Sequence, residues 1–252
     1  MRRAIAALRW LMAAALAFAA SGSGAAEMPV GGWQVVLAAG DDAEPVFDDA
    51  TRTLAAMFAA SGVAAGDIHR LSASPDEIAA GVEPADKTSL LRRIGELPAQ
   101  PGEGCFVFLT SHGRKAEGLW LARSQRVLLP DELADALSRG CATVPTVAIV
   151  SGCYTGGFAA GAMARPNRIV LTAARADRPS FGCEVERRYT FFDECLIGAL
   201  PAASSWRAAS AATNRCVGRM EHERDERPSQ PQAFFGRAVA GLATGLAPAR
   251  TQ

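Results

Sequence analysis

The chain contains short continuous apolar runs separated by longer segments with helical spacing. Continuous apolar runs are typical of strands buried on both faces of a sheet. They lie at 33–37, 105–110, 146–150 and 168–172, with a weaker run at 68–71. Two further short runs, at 118–122 and 126–129, predict a hairpin.

Apolar residues recur every three or four positions in the intervening segments, which predicts helices. These segments are 45–61, 87–97, 130–138, 189–200, 205–224 and 232–242. Strands that alternate with helices predict an α/β fold, in which a mainly parallel sheet carries helices on both faces.

The first 26 residues have a different pattern. Arg2 and Arg3 precede a run that stays apolar from Trp10 to Ala20, and small residues follow it to Ala26. The run is too short for a helix that crosses a bilayer of roughly 30 Å, so a permanent anchor is the weaker alternative. The pattern is typical of a secretory leader. We expect residues 1–26 to be removed and 27–252 to form a single domain, periplasmic or secreted, with no stable membrane insertion.

Composition and charge exclude several classes of protein. The 252 residues are 49% hydrophobic and carry 26 basic and 26 acidic side chains, as expected for a globular domain. After the leader there is no basic run that would bind nucleic acid. The glycines at 156 and 157 lack the lysine and the spacing of a phosphate-binding loop, and His222 has no second histidine four residues away. We therefore expect no cofactor and no metal site.

A histidine and a cysteine follow two of the strong strand runs. His112 comes directly after the run 105–110, and Cys153 comes after 146–150. Ligands bind at the carboxyl ends of strands in open α/β sheets, so neighbouring strands would place both side chains in one crevice. An imidazole there can accept the thiol proton, and the amides of Gly113 and Cys153 can converge on a developing oxyanion. Alternatively, the histidine is structural and the cysteine is half of a disulfide.

Several segments resemble the bacterial branch of the legumain-like C13 cysteine peptidases. They are LTSHG at 109–113, GLWLA at 118–122, VSGCYTGGF at 150–158 and VLTAARADRPSFGC at 170–183. Weaker similarity at 33–50 and 228–236 extends the resemblance over most of the mature chain. It implies a three-layer caspase-like sandwich, a dyad of His112 and Cys153, and an oxyanion hole that includes the Gly113 amide.

The primary pocket departs from the pattern of asparagine-specific members of that family. Those members use an acidic residue two positions before the nucleophile and an Arg-His pair after the first strand, where this chain has Ser151 and Val46-Phe47. We therefore expect Ser151 and Ser180 to form an uncharged pocket for a small or neutral side chain. Asp177 lies in the loop that would border the pocket and is a further candidate for substrate binding, with a solvated loop position as the alternative.

These features predict an exported cysteine endopeptidase that acts on a peptide or protein through a thioester intermediate. The alternatives are a transpeptidase or ligase of the same family and a non-catalytic binding protein that kept the fold. The sequence leaves the oligomeric state open.

Disulfides are permitted in an exported protein. Cys105 begins one predicted strand and Cys141 lies shortly before the next, so both belong to the end of the sheet opposite His112 and Cys153. Adjacent strands are roughly 4.8 Å apart, which suits a bridge, and we expect these cysteines to pair, with two buried free thiols as the alternative. Cys183 with Cys216 is a weaker second candidate that would leave Cys195 free.

Overall fold

A computed structural model describes residues 31–184 and 186–246. The predicted leader, residues 1–26, lies outside the described residues. The strands are β1 (Trp33–Ala39), β2 (Ile68–Ser72), β3 (Glu83–Pro84), β4 (Gly104–Thr110), β5 (Gly113–Arg114), β6 (Gly118–Leu121), β7 (Arg126–Leu128), β8 (Thr146–Ser151), β9 (Arg168–Thr172) and β10 (Gln232–Phe235). The helices are α1 (Val46–Ala60), α2 (Pro75–Ala79), α3 (Lys87–Gly95), α4 (Pro130–Gly140), α5 (Phe191–Ala199) and α6 (Trp206–Glu223).

A seven-stranded sheet in the order β10-β9-β8-β4-β1-β2-β3 forms the centre of the fold. Its strands pair in parallel except β10, which runs antiparallel to β9 at one edge. The strand β4 lies between β1 and β8, and the pairing of β4 with β8 ends at Thr110 and Ser151. The two segments that carry His112 and Cys153 therefore leave the sheet side by side.

Successive side chains of each strand pack into separate cores on the two faces of the sheet. Phe106 and Phe108 of β4 pack against α1, α5 and α6, while Val107 and Leu109 pack against α3 and α4. The continuous apolar runs thus reflect burial on both faces, and the α/β sandwich expected from the sequence is confirmed. Among the described residues, no helix is long and apolar enough to cross a membrane.

The prediction of a helix over 232–242 is wrong. Residues Gln232–Phe235 form β10, with Gln232 opposite Thr172 and Phe235 opposite Ile169. The two adjacent phenylalanines pack on opposite faces, Phe234 against the α3/α4 core and Phe235 against the core of α1, α5 and α6. Side chains that alternate between the two faces are typical of a strand. In a segment of four residues, however, this pattern cannot be distinguished from helical spacing.

Strands β5, β6 and β7 form a small antiparallel sheet directly after β4. The sequence predicted β6 and β7 as a hairpin and missed β5, which has only two residues, Gly113 and Arg114. The guanidinium of Arg114 lies 3.5 Å from the centre of the Trp120 ring in β6. This sheet holds the segment that begins at His112.

Two disulfides tie neighbouring elements together. One joins Cys105 in β4 to Cys141 at the end of α4, with Cα atoms 6.0 Å apart. The other joins Cys195 in α5 to Cys216 in α6, with Cα atoms 5.6 Å apart. The weaker expectation that Cys183 pairs with Cys216 is therefore wrong, because α5 and α6 pack directly on each other. Cys153 and Cys183 are free.

Candidate active site

The backbones around His112 and Cys153 are in direct contact. The Ser111 amide donates to the Ser151 carbonyl at 3.1 Å, which extends the pairing of β4 and β8 beyond the last strand residues. A Cβ atom added to Gly113 would lie 1.7 Å from the Cys153 carbonyl oxygen and 2.9 Å from the Cys153 nitrogen. Only glycine fits at position 113, and its close approach brings together the two amides expected to form the oxyanion hole.

The Cys153 thiol is half-buried and is held by Ser180. The thiol donates to the Ser180 carbonyl at 3.4 Å, and the Ser180 amide donates to the sulfur at 3.3 Å. The Tyr154 amide donates to the Arg178 carbonyl at 2.8 Å, so the loop that contains Ser180 runs alongside the cysteine. Tyr154 itself has a positive φ of 61°, an uncommon backbone conformation for a bulky residue and one that clusters at functional sites.

The His112 imidazole is packed against Phe47 of α1. The two rings meet edge to face, with centroids 5.3 Å apart and an interplanar angle of 84°. Within the described residues, the imidazole forms no hydrogen bond, either to Cys153 or to a carboxylate. Catalytic hydrogen bonds are often long in the absence of substrate, and packing against Phe47 limits the positions open to the ring. Phe47, which is 1% exposed, therefore restricts where the His112 ring can lie.

Asp193 of α5 is a residue of this site that the sequence analysis missed. It is fully buried, and the Thr110 hydroxyl at the end of β4 donates to its Oδ2 at 2.8 Å. Its other oxygen, Oδ1, has no hydrogen-bond partner among the described residues. Burial raises the pKa of Asp193 to about 6, although the nearby hydroxyls of Ser151, Thr110 and Thr190 act in the opposite direction. Asp193 gave no sequence signal because it lies forty residues beyond Cys153, inside a helix.

Ser151 and Asp177 lie in different surroundings. Ser151 is 1% exposed, and its hydroxyl faces Asp193 beneath the sheet edge. Asp177 is exposed and pairs with Arg175 through two hydrogen bonds of 2.5 and 2.7 Å, which lower the Asp177 pKa to about 2. The structure brings Ser180 to the thiol and Ser151 to a buried carboxylate, and it places the Asp177 carboxylate in an exposed ion pair.

The second free thiol, Cys183, is in an environment unlike that of Cys153. It packs against Ala39, Val46 and Phe47. Burial raises the pKa of Cys183 to about 12, and the neighbouring Cys153 adds to this effect. A thiol with so high a pKa is a poor nucleophile, since the thiolate is the reactive form. No cluster of His, Cys, Asp or Glu side chains within the described ranges is arranged to hold a metal ion.

The sequence matches the model of the peptidase C13 family over residues 86–213, a span that includes both His112 and Cys153. The fold is similar to the crystal structure of caspase-1 from Spodoptera frugiperda, with a TM-score of 0.55 over 83% of this chain and 88% of that chain. The sequence identity to that caspase is 11%, so the similarity concerns the fold alone. No curated protein matches the chain in sequence.

Proposed function

The chain belongs to the peptidase C13 family and is a cysteine peptidase, and we propose that it is an exported endopeptidase with Cys153 as nucleophile and His112 as general base. The observation that carries the proposal is the position of the free Cys153 thiol. This half-buried, unpaired thiol lies at the carboxyl end of β8, beside the Gly113 amide and one strand away from His112.

The reaction follows from these groups. His112 accepts the Cys153 proton, and the sulfur attacks the carbonyl carbon of the scissile peptide bond. The oxyanion forms beside the amides of Gly113 and Cys153, which stabilise it. His112 then returns the proton to the leaving amine, the C–N bond breaks, and a thioester remains on Cys153. Water, deprotonated by His112, attacks the thioester, which releases the acid product and restores the thiol.

The primary pocket lies on the side of the thiol where Ser180 and Ser151 are found. Asp193, beneath Ser151, makes this side of the site negative above a pH of about 6. Because the Asp193 carboxylate is fully buried, it acts on a substrate through its negative charge, which disfavours an acidic side chain and favours a basic one. We expect neutral or basic donor side chains to be preferred over aspartate and glutamate at this position.

Export is supported by two independent features. The pattern of residues 1–26 is that of a cleaved leader. The disulfides Cys105–Cys141 and Cys195–Cys216 are typical of a protein that folds in an oxidising compartment. The periplasm and the extracellular medium both meet this condition.

Digestion of a peptide library tests the reaction. The mature protein is incubated with the library in the presence and absence of a peptide with a free amino terminus, and the products are identified by mass spectrometry. We expect hydrolysis products that depend on Cys153 and His112, with Cys183→Ala as the matched cysteine control that keeps activity. Joined products from the added amine would instead indicate a transpeptidase, and the absence of any product would indicate a binding protein.

A further inference from the structure

A cavity of about 270 Å³ lies beside the segment that carries Cys153. The residue after the nucleophile, Tyr154, forms one wall, and the turn between β5 and β6 forms another. The other lining residues are Leu129, Pro130, Gly157, Phe158 and Ala176, with Ala116, Glu117 and Gly118 in the turn. A cavity of this size is smaller than most small-molecule pockets, which hold roughly 300–1,000 Å³, and it suits a single side chain.

The lining is apolar and open to solvent. Leu129 is 41% exposed, and it is the one large apolar side chain that is exposed among the residues described. An apolar side chain at the mouth of an apolar cavity remains in contact with water until another apolar group covers it. Burial of a substrate side chain in this cavity would remove both apolar surfaces from water.

Two walls of the cavity have a fixed backbone. Ala116 in the turn and Tyr154 after the nucleophile both have a φ of 61°, in the left-handed region. Non-glycine residues keep this conformation only where their surroundings impose it. The Tyr154 amide is bonded to the Arg178 carbonyl, and the turn is held by Arg114, which stacks on Trp120 and lies 3.9 Å from Glu117. The cavity is therefore formed before substrate binds.

The position of His112, the general acid, decides which part of a substrate lies at the cavity. His112 delivers a proton to the leaving amine, so the leaving segment passes on the His112 side of the thiol. The chain that follows His112 leads through Gly113 and Arg114 directly into the turn that lines the cavity. The acyl part of the substrate occupies the opposite side, beside Ser180.

We propose that this cavity binds an apolar side chain of the substrate on the leaving-group side of the scissile bond. The proposal rests on the proposed function and adds a second determinant of substrate choice to it. The substrate class is then a peptide with a hydrogen-bond donor before the scissile bond and an apolar residue such as leucine or phenylalanine shortly after it.

Gly157 offers a clean test because its added side chain meets no neighbour. A Cβ atom at Gly157 has nothing within 4 Å, and its φ is not in the left-handed region. Gly157→Leu therefore adds a side chain at the lining of the cavity without backbone strain, whereas a Cβ at the adjacent Gly156 would lie 2.4 Å from the Ala176 nitrogen. Gly218→Leu in α6 is the matched control, since a Cβ atom there also meets nothing within 4 Å.

The experiment measures the ratio of kcat/KM for leucine-containing peptides to kcat/KM for glycine-containing peptides, with the mature protein. Quenched-fluorescence peptides carry leucine or glycine at each of the first three positions after the scissile bond, with all other positions constant. We expect kcat/KM to be about 10-fold higher for leucine at one of these positions in the wild type and in Gly218→Leu. The ratio should fall to about 1 in Gly157→Leu and to an intermediate value in Leu129→Ser, which changes only an exposed side chain.

Two results overturn the proposal, and they differ in what they imply for the enzyme. A wild-type ratio near 1 at all three positions, or a ratio that Gly157→Leu leaves unchanged, removes the cavity from substrate binding while the peptidase function stands. If the wild type cleaves no peptide and a peptidyl chloromethyl ketone does not label Cys153, the proposed function fails together with the cavity.

Discussion

The two ends of the strand pair β4 and β8 are built in opposite ways. At the amino end, Cys105 and Cys141 are buried and joined by a disulfide. At the carboxyl end, His112 and Cys153 are half-buried and unlinked, and Asp193 bonds the end of β4 from below. At its base, β4 is joined to the end of α4 by a covalent bond, while the carboxyl end is fixed by hydrogen bonds and packing. The proposed dyad and the Cys105–Cys141 bridge thus lie at opposite ends of β4.

The difference also explains how the chain keeps a free thiol beside disulfide-bonded cysteines. The four paired cysteines belong to directly packed elements, β4 with the end of α4 and α5 with α6. At the carboxyl end the two thiols remain single, because Cys153 bonds to the Ser180 backbone and Cys183 packs beside Phe47. The comparison predicts that changes at the carboxyl end alter catalysis and changes at the amino end alter stability.

The largest expected effect is the loss of catalysis at the carboxyl end. Cys153→Ala should lower kcat/KM by at least about 10³-fold, and His112→Ala nearly as much, since the two residues act as one unit. Neither change should alter the unfolding temperature by more than a few degrees, because both side chains are half-buried. Initial rates on a cleavable peptide and calorimetry measure the two quantities. Turnover that survives in a stable Cys153→Ala protein contradicts the assignment of the nucleophile.

At the amino end we expect a loss of stability instead. Removal of the bridge in a Cys105→Ala, Cys141→Ala protein should lower the free energy of unfolding by about 3 to 4 kcal/mol, for a bridge between residues 36 positions apart. The folded protein should keep its kcat/KM at a temperature well below the transition. Denaturant titration and peptide mapping without reductant provide the measurement. If both cysteines alkylate in the unreduced, unfolded wild type, the bridge is absent and the contrast between the two ends is lost.

Asp193 is expected to affect both stability and substrate preference through its pKa. Its pKa is about 6 in the folded protein and 3.8 ordinarily, so the folded state holds the proton more tightly. The contribution of this proton to the free energy of unfolding is fully present below about pH 3.8 and is lost as the pH rises through about 6. Asp193→Asn removes this dependence. The variant should gain about 3 kcal/mol relative to the wild type between pH 3.5 and pH 8.

The same variant measures the role of Asp193 in specificity. Above pH 6, Asp193→Asn should reduce the preference for basic over acidic side chains before the scissile bond, while the wild type loses that preference as the pH falls below about 6. Denaturant titrations and peptide profiles at several pH values give both results. A stability difference that does not change with pH would show that the carboxyl titrates normally.

The smallest expected effect concerns Ser151. Its hydroxyl faces Asp193, so Ser151→Glu adds a second carboxylate to the same side of the site. Preference should shift by about 10-fold towards asparagine or basic side chains if position 151 contributes to the primary pocket. Ser138→Glu, at an exposed position of α4, is the control for the added charge alone. Identical substrate profiles for wild type and Ser151→Glu remove position 151 from the pocket.

Much of the fold follows from local sequence. The buried runs of β4, β8 and β9 are continuous and short, and the helices between them have clear spacing, so the pattern specified a parallel sheet. The strands β3 and β5 have two residues each, too few to show a period, and both were missed. The four residues of β10 fit helical spacing as well as alternation, and β10 was assigned to a helix.

The residues of the candidate site also differ in whether local sequence reveals them. His112, Gly113 and Cys153 lie in strand-end segments whose chemistry is visible in sequence. The contacts of Phe47 and Asp193 depend on how α1 and α5 pack on the sheet. The spacing of residues along the chain does not predict that packing. The Cys195–Cys216 bridge was missed for the same reason, since it depends on the packing of α5 against α6.

Competition between the two free thiols for an electrophile identifies the nucleophile. The mature protein is treated with a series of peptidyl chloromethyl ketones, and the modified cysteine is identified by mass spectrometry. We predict that Cys153 is alkylated, that Cys183 remains unmodified in the folded protein, and that His112→Ala slows the alkylation of Cys153 by at least about 10²-fold. Alkylation of Cys183 at a comparable rate, or labelling of Cys153 that does not depend on His112, would contradict the account.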